Sequence, residues 1–118
     1  MFSRNNFRSG GLQMRILRFV ADGQRLKKQA DCDFSGLVAG SEGYLRAKFT
    51  FSDEWLGCKK AASFWVGDQE YARLLDDDDS CIIPPEVLAG ELFKVSVVGV
   101  KTGYKLMSTR TKVRQEVY

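Results

Sequence analysis

The sequence predicts an all-β fold, most simply an antiparallel β-sandwich of about seven or eight strands. Three observations predict it. Short segments of alternating apolar and polar residues recur along the chain, turn signals separate them, and no segment sustains an amphipathic helix of three turns. Antiparallel sandwiches and small barrels both give this pattern, and we favour the sandwich.

The first part of the chain differs from the rest. Residues 1–12 are polar, contain glycine and have no hydrophobic period, so we expect a flexible arm there. Residues 13–118 are predicted to form a single β-sandwich domain, because a chain of 118 residues fits one domain rather than two.

A hairpin is the first predicted element of the domain. Residues 14–21 are rich in β-branched and aromatic side chains, and Asp22-Gly23 after them is a strong hairpin signal. Residues 25–30 are the predicted return strand, whose two lysines suit an exposed edge. A loop with three glycines follows over residues 35–43.

The clearest strand lies in the middle of the chain, over residues 44–51. Apolar side chains alternate there with charged and hydroxyl side chains, which is the period of a half-buried strand. Residues 59–66 predict a second strand of this kind. Gly67-Asp68 is a turn signal, and residues 70–75 are the next predicted strand.

The C-terminal third contains one helical turn and three strands. Pro84-Pro85 stops a brief apolar segment, and Pro85 suits the first position of a helical turn over residues 85–88. Residues 92–101 are the second clear strand, in which Gly99 indicates a bulge or a close approach. The last two predicted strands are residues 104–109 and 112–117.

Composition argues against several functional classes. Histidine is absent, which removes the commonest general base and metal ligand, so we expect no enzyme, cofactor or metal. A net charge of +3 is too small to indicate a nucleic-acid binder. The longest apolar run is far shorter than the ~20 residues of a membrane-spanning helix. Three cysteines without a CxxC spacing are expected to be reduced thiols.

One candidate interaction surface is the acidic run Asp76, Asp77, Asp78 and Asp79. Adjacent carboxylates can bind calcium or contact a basic partner. The run lacks the spaced carboxylates, the central glycine and the distal glutamate of an EF-hand, so a solvated loop is the simpler interpretation.

The other candidate surface is basic. Arg15, Arg18, Lys27 and Lys28 give the predicted N-terminal hairpin a positive bias. Such a face can meet phosphates or an acidic neighbour, including the acidic run of another copy. The simpler interpretation is a solvated strand face.

Three carboxylates are candidates for a glycosidase pair: Asp53, Glu54 and Glu86. Glu86 falls in the first turn of the predicted helical segment, where a negative charge is favourable, and we expect no catalysis. Trp55 is expected in the core rather than on a sugar. Cys81, next to two isoleucines, is predicted to be a buried small hydrophobic residue.

Three runs of the chain resemble small structural proteins of tailed phages and prophages of Gram-positive bacteria. The runs are AKFTFSDEWLGCKKAASF (47–64), CIIPPEVLAGELFKVSVVGV (81–100) and TKVRQEV (111–117). The shared outline contains Ser-x-Glu-Trp followed by a glycine, then Cys-x-Ile-Pro-x-Glu-Val-Leu, then Phe-x-Val-Ser-Val-x-Gly and a closing strand rich in valine. The resemblance covers about residues 14–117 and leaves the arm outside.

This resemblance implies an immunoglobulin-like β-sandwich in a virion component associated with the tail or baseplate and made in the bacterial cytoplasm. Its implied partners are other virion proteins and copies of itself, and it brings no catalytic residues. We expect neither nucleic acid, membrane nor a small molecule as a partner.

Two alternatives stay open. A carbohydrate- or receptor-binding module of the same architecture needs exposed aromatic residues, so burial of both Trp55 and Trp65 would exclude it. A small hydrolase using Asp53, Glu54 or Glu86 needs a cleft in which two carboxylates approach each other.

Overall fold

Nine strands and two short 3-10 helices follow one another along residues 14–117, which are the residues that the computed structural model describes. The predicted arm of residues 1–12 lies outside the described residues. The strands are β1 Arg15–Asp22, β2 Arg25–Lys28, β3 Leu45–Phe51, β4 Lys59–Val66, β5 Gln69–Leu74, β6 Ser80–Ile82, β7 Leu92–Lys101, β8 Tyr104–Met107 and β9 Thr111–Arg114. The helices are η1 Asp53–Trp55 and η2 Pro85–Val87.

These strands form two sheets that pack as a sandwich, consistent with an immunoglobulin-like fold, and the predicted all-β sandwich is confirmed. The five-stranded sheet has the order β9–β7–β4–β5, with β8 also paired to β7. The four-stranded sheet has the order β2–β1–β3–β6. The one strand beyond the eight of the sequence analysis is β6, which is only three residues long.

One strand pair is not antiparallel. β1 and β3 run parallel, from the pair Arg15↔Leu45 to the pair Ala21↔Phe51. The other pairings of the described strands are antiparallel. The parallel pair forms because the chain passes through β2 and the long loop of residues 29–44 before β3, which lets β3 return in the direction of β1.

The core lies between the sheets and is filled by the alternating inward side chains. A row of aromatic rings runs through it along the four-stranded sheet. Successive centroids are 5.4, 5.4, 6.0 and 5.1 Å apart in the order Phe34, Phe19, Phe49, Phe51, Trp55. This row extends from the loop before β3 to the helix after it, so the four-stranded sheet supplies one continuous apolar wall.

Trp55 and Gly99 meet in the core. Trp55 is fully buried, as predicted, and its indole N–H donates to the carbonyl of Gly23 at 2.8 Å. A methyl group at Gly99 would lie 2.8 Å from Cε3 of Trp55. The register between β4 and β7 is unbroken here, with Lys60 opposite Gly99, so this glycine is a close approach rather than a bulge.

Candidate interaction surface

The four aspartates form the loop between β5 and β6, and three of them pair with cations of the same chain. The pairs are Arg46–Asp76, Lys48–Asp78 and Lys60–Asp79, with N–O distances of 3.6 Å in the last two. Arg46 and Lys48 belong to β3 and Lys60 to β4, so the loop is held by both sheets. Asp77 has no ion-pair partner within residues 14–117.

Hydrogen bonds give this loop a defined shape. The Ser80 hydroxyl donates to Oδ1 of Asp78 at 2.6 Å, and the Asp76 amide donates to the Ser80 carbonyl at 2.8 Å. Asp79 has a φ of 60°, in the left-handed region that aspartate tolerates better than most residues. The Ser80 hydrogen bond, followed by the charge of Lys48, lowers the pKa of Asp78. The acidic run is therefore an ordered, internally paired loop.

Two of the predicted basic residues lie against the long loop of residues 29–44. The guanidinium of Arg15 donates to the carbonyls of Asp33 and Ser35 at 2.9 and 2.7 Å. The Nζ atom of Lys28 lies 5.1 Å from the centroid of the Phe34 ring. These contacts give both cations a local structural role.

The other two predicted basic residues are on the outer face of the four-stranded sheet. Lys27 pairs with Asp22 at 3.4 Å. Arg18 is in register with Lys48, the residue that pairs with Asp78. Arg18 thus lies beside a residue that holds the acidic loop, and contact with another copy through the basic and acidic residues stays a prediction.

The three candidate catalytic carboxylates are not brought together. Asp53 and Glu54 lie in η1, directly after the end of β3. Glu86 lies in η2, shortly after Ile83, whose amide donates to the carbonyl of Leu45 at the start of β3. The seven residues of β3 span roughly 20 Å, whereas glycosidase carboxyl groups lie about 5–10 Å apart. Glu86 therefore has no such pairing with the other two.

Trp65, unlike Trp55, is half-buried on the outer face of the five-stranded sheet. Its indole N–H donates to Oγ of Ser96 at 3.0 Å. The guanidinium carbon of Arg110 lies 3.6 Å from the ring centroid and covers one face of the ring. Because Trp65 is only half-buried, the condition that would have excluded a carbohydrate-binding module, burial of both tryptophans, is not met.

The cysteines are free thiols in different surroundings. Cys81 is buried between the sheets, as predicted, and burial raises the pKa of its thiol to about 12. Cys58 is also buried, whereas Cys32 is half-buried in the long loop. A thiol that is neutral at ordinary pH is not a nucleophile, so Cys81 serves as a core residue.

One side of the sandwich is sealed by hydrogen bonds between the sheets. The segment after β8 lies against β2. The Thr109 amide donates to the Gln24 carbonyl at 2.8 Å, and the Gln24 side-chain amide donates to the Met107 carbonyl at 3.0 Å. The Thr109 hydroxyl accepts from the Leu26 amide at 3.1 Å, and the Thr111 hydroxyl donates to the Leu26 carbonyl at 2.6 Å. The outward backbone groups of Leu26 are thereby satisfied.

On the opposite side of the sandwich, β5 has no strand along its outer edge within the described residues. β5 ends the five-stranded sheet and pairs only with β4. The hairpin of β4 and β5 closes with the pair Val66↔Gln69, and the Leu75 amide donates to the Lys60 carbonyl. Hydrogen-bonded pairs alternate along an antiparallel ladder, so every second residue from Gln69 onward bonds to β4. The intervening residues direct their backbone N–H and C=O groups away from the sheet, and they are Glu70, Ala72 and Leu74.

An apolar row lies on the outer face of the five-stranded sheet next to this open edge. The strand register places Leu74, Ala61, Val98 and Met107 side by side on four strands. Leu74 is 77% exposed and Met107 is 53% exposed. Single exposed apolar residues are ordinary, but a row across neighbouring strands forms a patch of the kind found at contact surfaces.

Sequence reasoning did not find the open edge or the apolar row. The available signal was local: an apolar Leu74 next to the charged Arg73, in a short strand. Which strand ends a sheet depends on pairings between distant segments, so no local pattern identifies β5 as the edge.

Two kinds of site are absent from the described part of the chain. Residues 14–117 hold no group of three histidine, cysteine, aspartate or glutamate side chains placed to bind a metal ion. The helices in this range are also too short and too polar to cross a membrane.

Fold and surface together define a β-sandwich in which hydrogen bonds cover part of the β2 edge and β5 has a free outer edge. No protein-family model, curated protein or solved structure matches the chain.

Proposed function

We propose that the protein is a structural module that works by protein–protein contact, in the tail or baseplate of a phage or prophage virion. The observation that carries the proposal is the difference between the two sides of the sandwich. Both backbone groups of Leu26 on β2 are hydrogen-bonded, whereas β5 directs backbone groups at three residues away from its sheet and only the Ala72 carbonyl among them is bonded, to Arg73. An unsealed edge strand is a template for another chain.

The apolar row supports the same proposal. It places exposed Leu74 at the edge and continues across the face toward Met107. A partner that joins the edge of β5 would therefore also meet apolar surface, and burying such surface favours association by about 25 cal/mol per Å².

The virion setting is supported by the sequence resemblance alone. Trp55 of the Ser-x-Glu-Trp motif packs against Gly99 of the Phe-x-Val-Ser-Val-x-Gly motif, so the two motifs describe one contact of the core. Motifs that specify packing suit a structural protein. In a virion many copies act together, so contacts that are individually weak can hold an assembly.

Particle purification tests this proposal. Prophages are induced in the source bacterium, intact particles are purified, and an antibody to the protein is used on an immunoblot. We expect a band in fixed proportion to the major particle proteins, which immunogold labelling would then place. A band found only in the soluble lysate would overturn the virion setting.

The alternative function, carbohydrate or receptor binding, is favoured by one observation. Trp65 is partly accessible on the outer face, with Glu70 and Lys94 in register on either side. Aromatic rings flanked by polar groups bind sugars, although Arg110 would have to leave the ring. A glycan-binding screen tests it, because binding that Trp65→Ala abolishes and Lys27→Ala, on the other sheet, retains would support this function instead.

A further inference from the structure

We propose that β5 pairs with β5 of a second copy of this chain, antiparallel and centred on Ala72, so that the two five-stranded sheets become one continuous sheet. The inference rests on the proposed assembly function and identifies a second copy of the chain as a partner. It is supported by the alternation of backbone groups along β5 and by the side chains on its inner face.

The backbone of β5 is self-complementary in this register. A two-fold axis normal to the sheet keeps each side chain on its own face, so residues of the same parity must lie opposite each other. With the axis at Ala72, this residue faces its own copy and Glu70 faces Leu74. These are the residues whose N–H and C=O groups point outward from β5, so each group gains a partner.

The side chains between these pairs are also complementary. Tyr71 comes to lie opposite Arg73 of the second copy, in a pair without backbone hydrogen bonds, where side chains are closest. Tyr71 is half-buried against the core, so its ring is held in place. A guanidinium over a tyrosine ring is an attractive contact, and the symmetry makes it twice.

Arg73 now occupies the edge that the second copy would take. Its guanidinium donates to the Ala72 carbonyl at 2.8 Å, in an exposed hydrogen bond. Charged side chains commonly protect free edges in this way. Pairing would replace this bond with a backbone bond to the second copy and release Arg73 toward Tyr71. Leu74, 77% exposed in the single chain, would then lie diagonally beside Ala72 of the second copy.

A proline at the axis tests the pairing. The Ala72 N–H points away from β4, so Ala72→Pro removes a donor that the single chain does not use, and proline is tolerated at such edge positions. We expect the purified protein to dimerise in analytical ultracentrifugation, and Ala72→Pro to raise the dimer Kd at least about tenfold. Ala72→Thr, which keeps the N–H, should dimerise like the wild type. Circular dichroism shows whether each variant is folded.

A cross-link then fixes the register. Opposed residues of a hydrogen-bonded pair have Cα atoms about 5.5 Å apart, which a short thiol cross-linker such as a bismaleimide spans. In a Cys32→Ser background, Ala72→Cys should form a covalent dimer with this reagent. The matched control is Lys112→Cys, exposed on β9 at the far edge of the same sheet, which should not.

Two results would overturn the inference. One is a purified wild-type chain that stays monomeric at several hundred micromolar. The other is equal cross-linking of the Ala72→Cys and Lys112→Cys variants. Either result would leave the proposed function standing or falling on the particle immunoblot alone. A chain that is monomeric in solution but present in particles would bind a partner other than its own copy at β5.

Discussion

Trp55 closes one end of the core, and its position depends on a residue without a side chain. The indole packs against Phe51, with 5.1 Å between ring centroids, and its N–H is bonded to the Gly23 carbonyl. The space that the ring occupies exists because Gly99 on β7 brings no Cβ there. The contact joins the helix after β3 to the five-stranded sheet, so it holds the two layers in register.

Gly99→Ala is expected to destabilise the protein by about 1–3 kcal/mol, the usual cost of overpacking a core. The added methyl would lie 2.8 Å from Cε3 of Trp55 and 3.0 Å from Cβ of Cys58, so either the ring or the strand must move. Urea unfolding measures the change. Gly90→Ala is the matched control, because a Cβ at Gly90 meets no atom within 4 Å, and it should stay within about 0.5 kcal/mol.

The thiols should react in a fixed order. Burial raises the pKa of Cys81 to about 12, so at pH 8 almost none of it is thiolate, whereas Cys32 is partly exposed. With a chromogenic disulfide reagent at pH 8, we expect Cys32 to react first and Cys81 only after unfolding. Cys32→Ser should remove the fast phase. A fast phase that persists in this variant would contradict the burial found for the other thiols.

At the scale of elements, the acidic loop acts as a clamp between layers. Lys60 of β4 lies 3.6 Å from Asp79 and 5.0 Å from the ring centroid of Phe51, which belongs to β3. Lys48 of β3 donates to the Asp78 carbonyl at 2.9 Å. The acidic loop is thereby connected to β3 of one sheet and β4 of the other.

The clamp should weaken in acid. The folded pKa of Asp78 lies below its ordinary value, so its contribution to stability is present above about pH 4 and is lost as the pH falls through the folded pKa. Asp78→Asn should therefore be less stable than the wild type at pH 7, and the difference should shrink toward pH 2. Unfolding in urea at both pH values measures it.

Asp77→Asn is the control for this prediction, since Asp77 lies in the same loop without an ion-pair partner in residues 14–117. It should change stability little at either pH. An Asp78→Asn difference that stays constant between the two pH values would show that the carboxylate does not stabilise the loop.

Local pattern was enough to predict most elements and insufficient to predict their pairing. Alternation in Leu45–Phe51 predicts which side chains are buried, and Asp22-Gly23 predicts its hairpin, because both signals lie within a few residues. The parallel partner of β1 is separated from it by β2 and a long loop, so no turn signal reports it. The aspartates were found from sequence, but their cations lie on distant strands and were not.

At the scale of the whole molecule, the two sides of the sandwich are chemically unequal. Thr109 and Thr111 bond to both backbone groups of Leu26 on one side. On the other side, β5 has a neighbouring strand, β4, along one edge only within the described residues. The fold therefore covers part of the β2 edge and leaves the outer edge of β5 without a strand.

Removing the seal should change the size of the assemblies. The double variant Thr109→Val and Thr111→Val deletes the hydroxyls and leaves the Leu26 amide and carbonyl unpaired. Under the proposed pairing, we expect this variant to form species larger than a dimer, and Ala72→Pro added to it to reduce them. Light scattering after size-exclusion chromatography measures the masses. A double variant that stops at the dimer would show that other features close this edge.

Under the proposed pairing, the hydroxyls of Thr109 and Thr111 would limit the number of copies in an assembly. A sandwich with two usable edges can add copies without limit and grow into a fibre, whereas a sandwich with one usable edge ends growth as soon as that edge is filled. Under the proposed pairing, the strength of the β5 contact would set how readily copies join, and Thr109 and Thr111 would hinder further attachment at β2 because they occupy the backbone groups of Leu26.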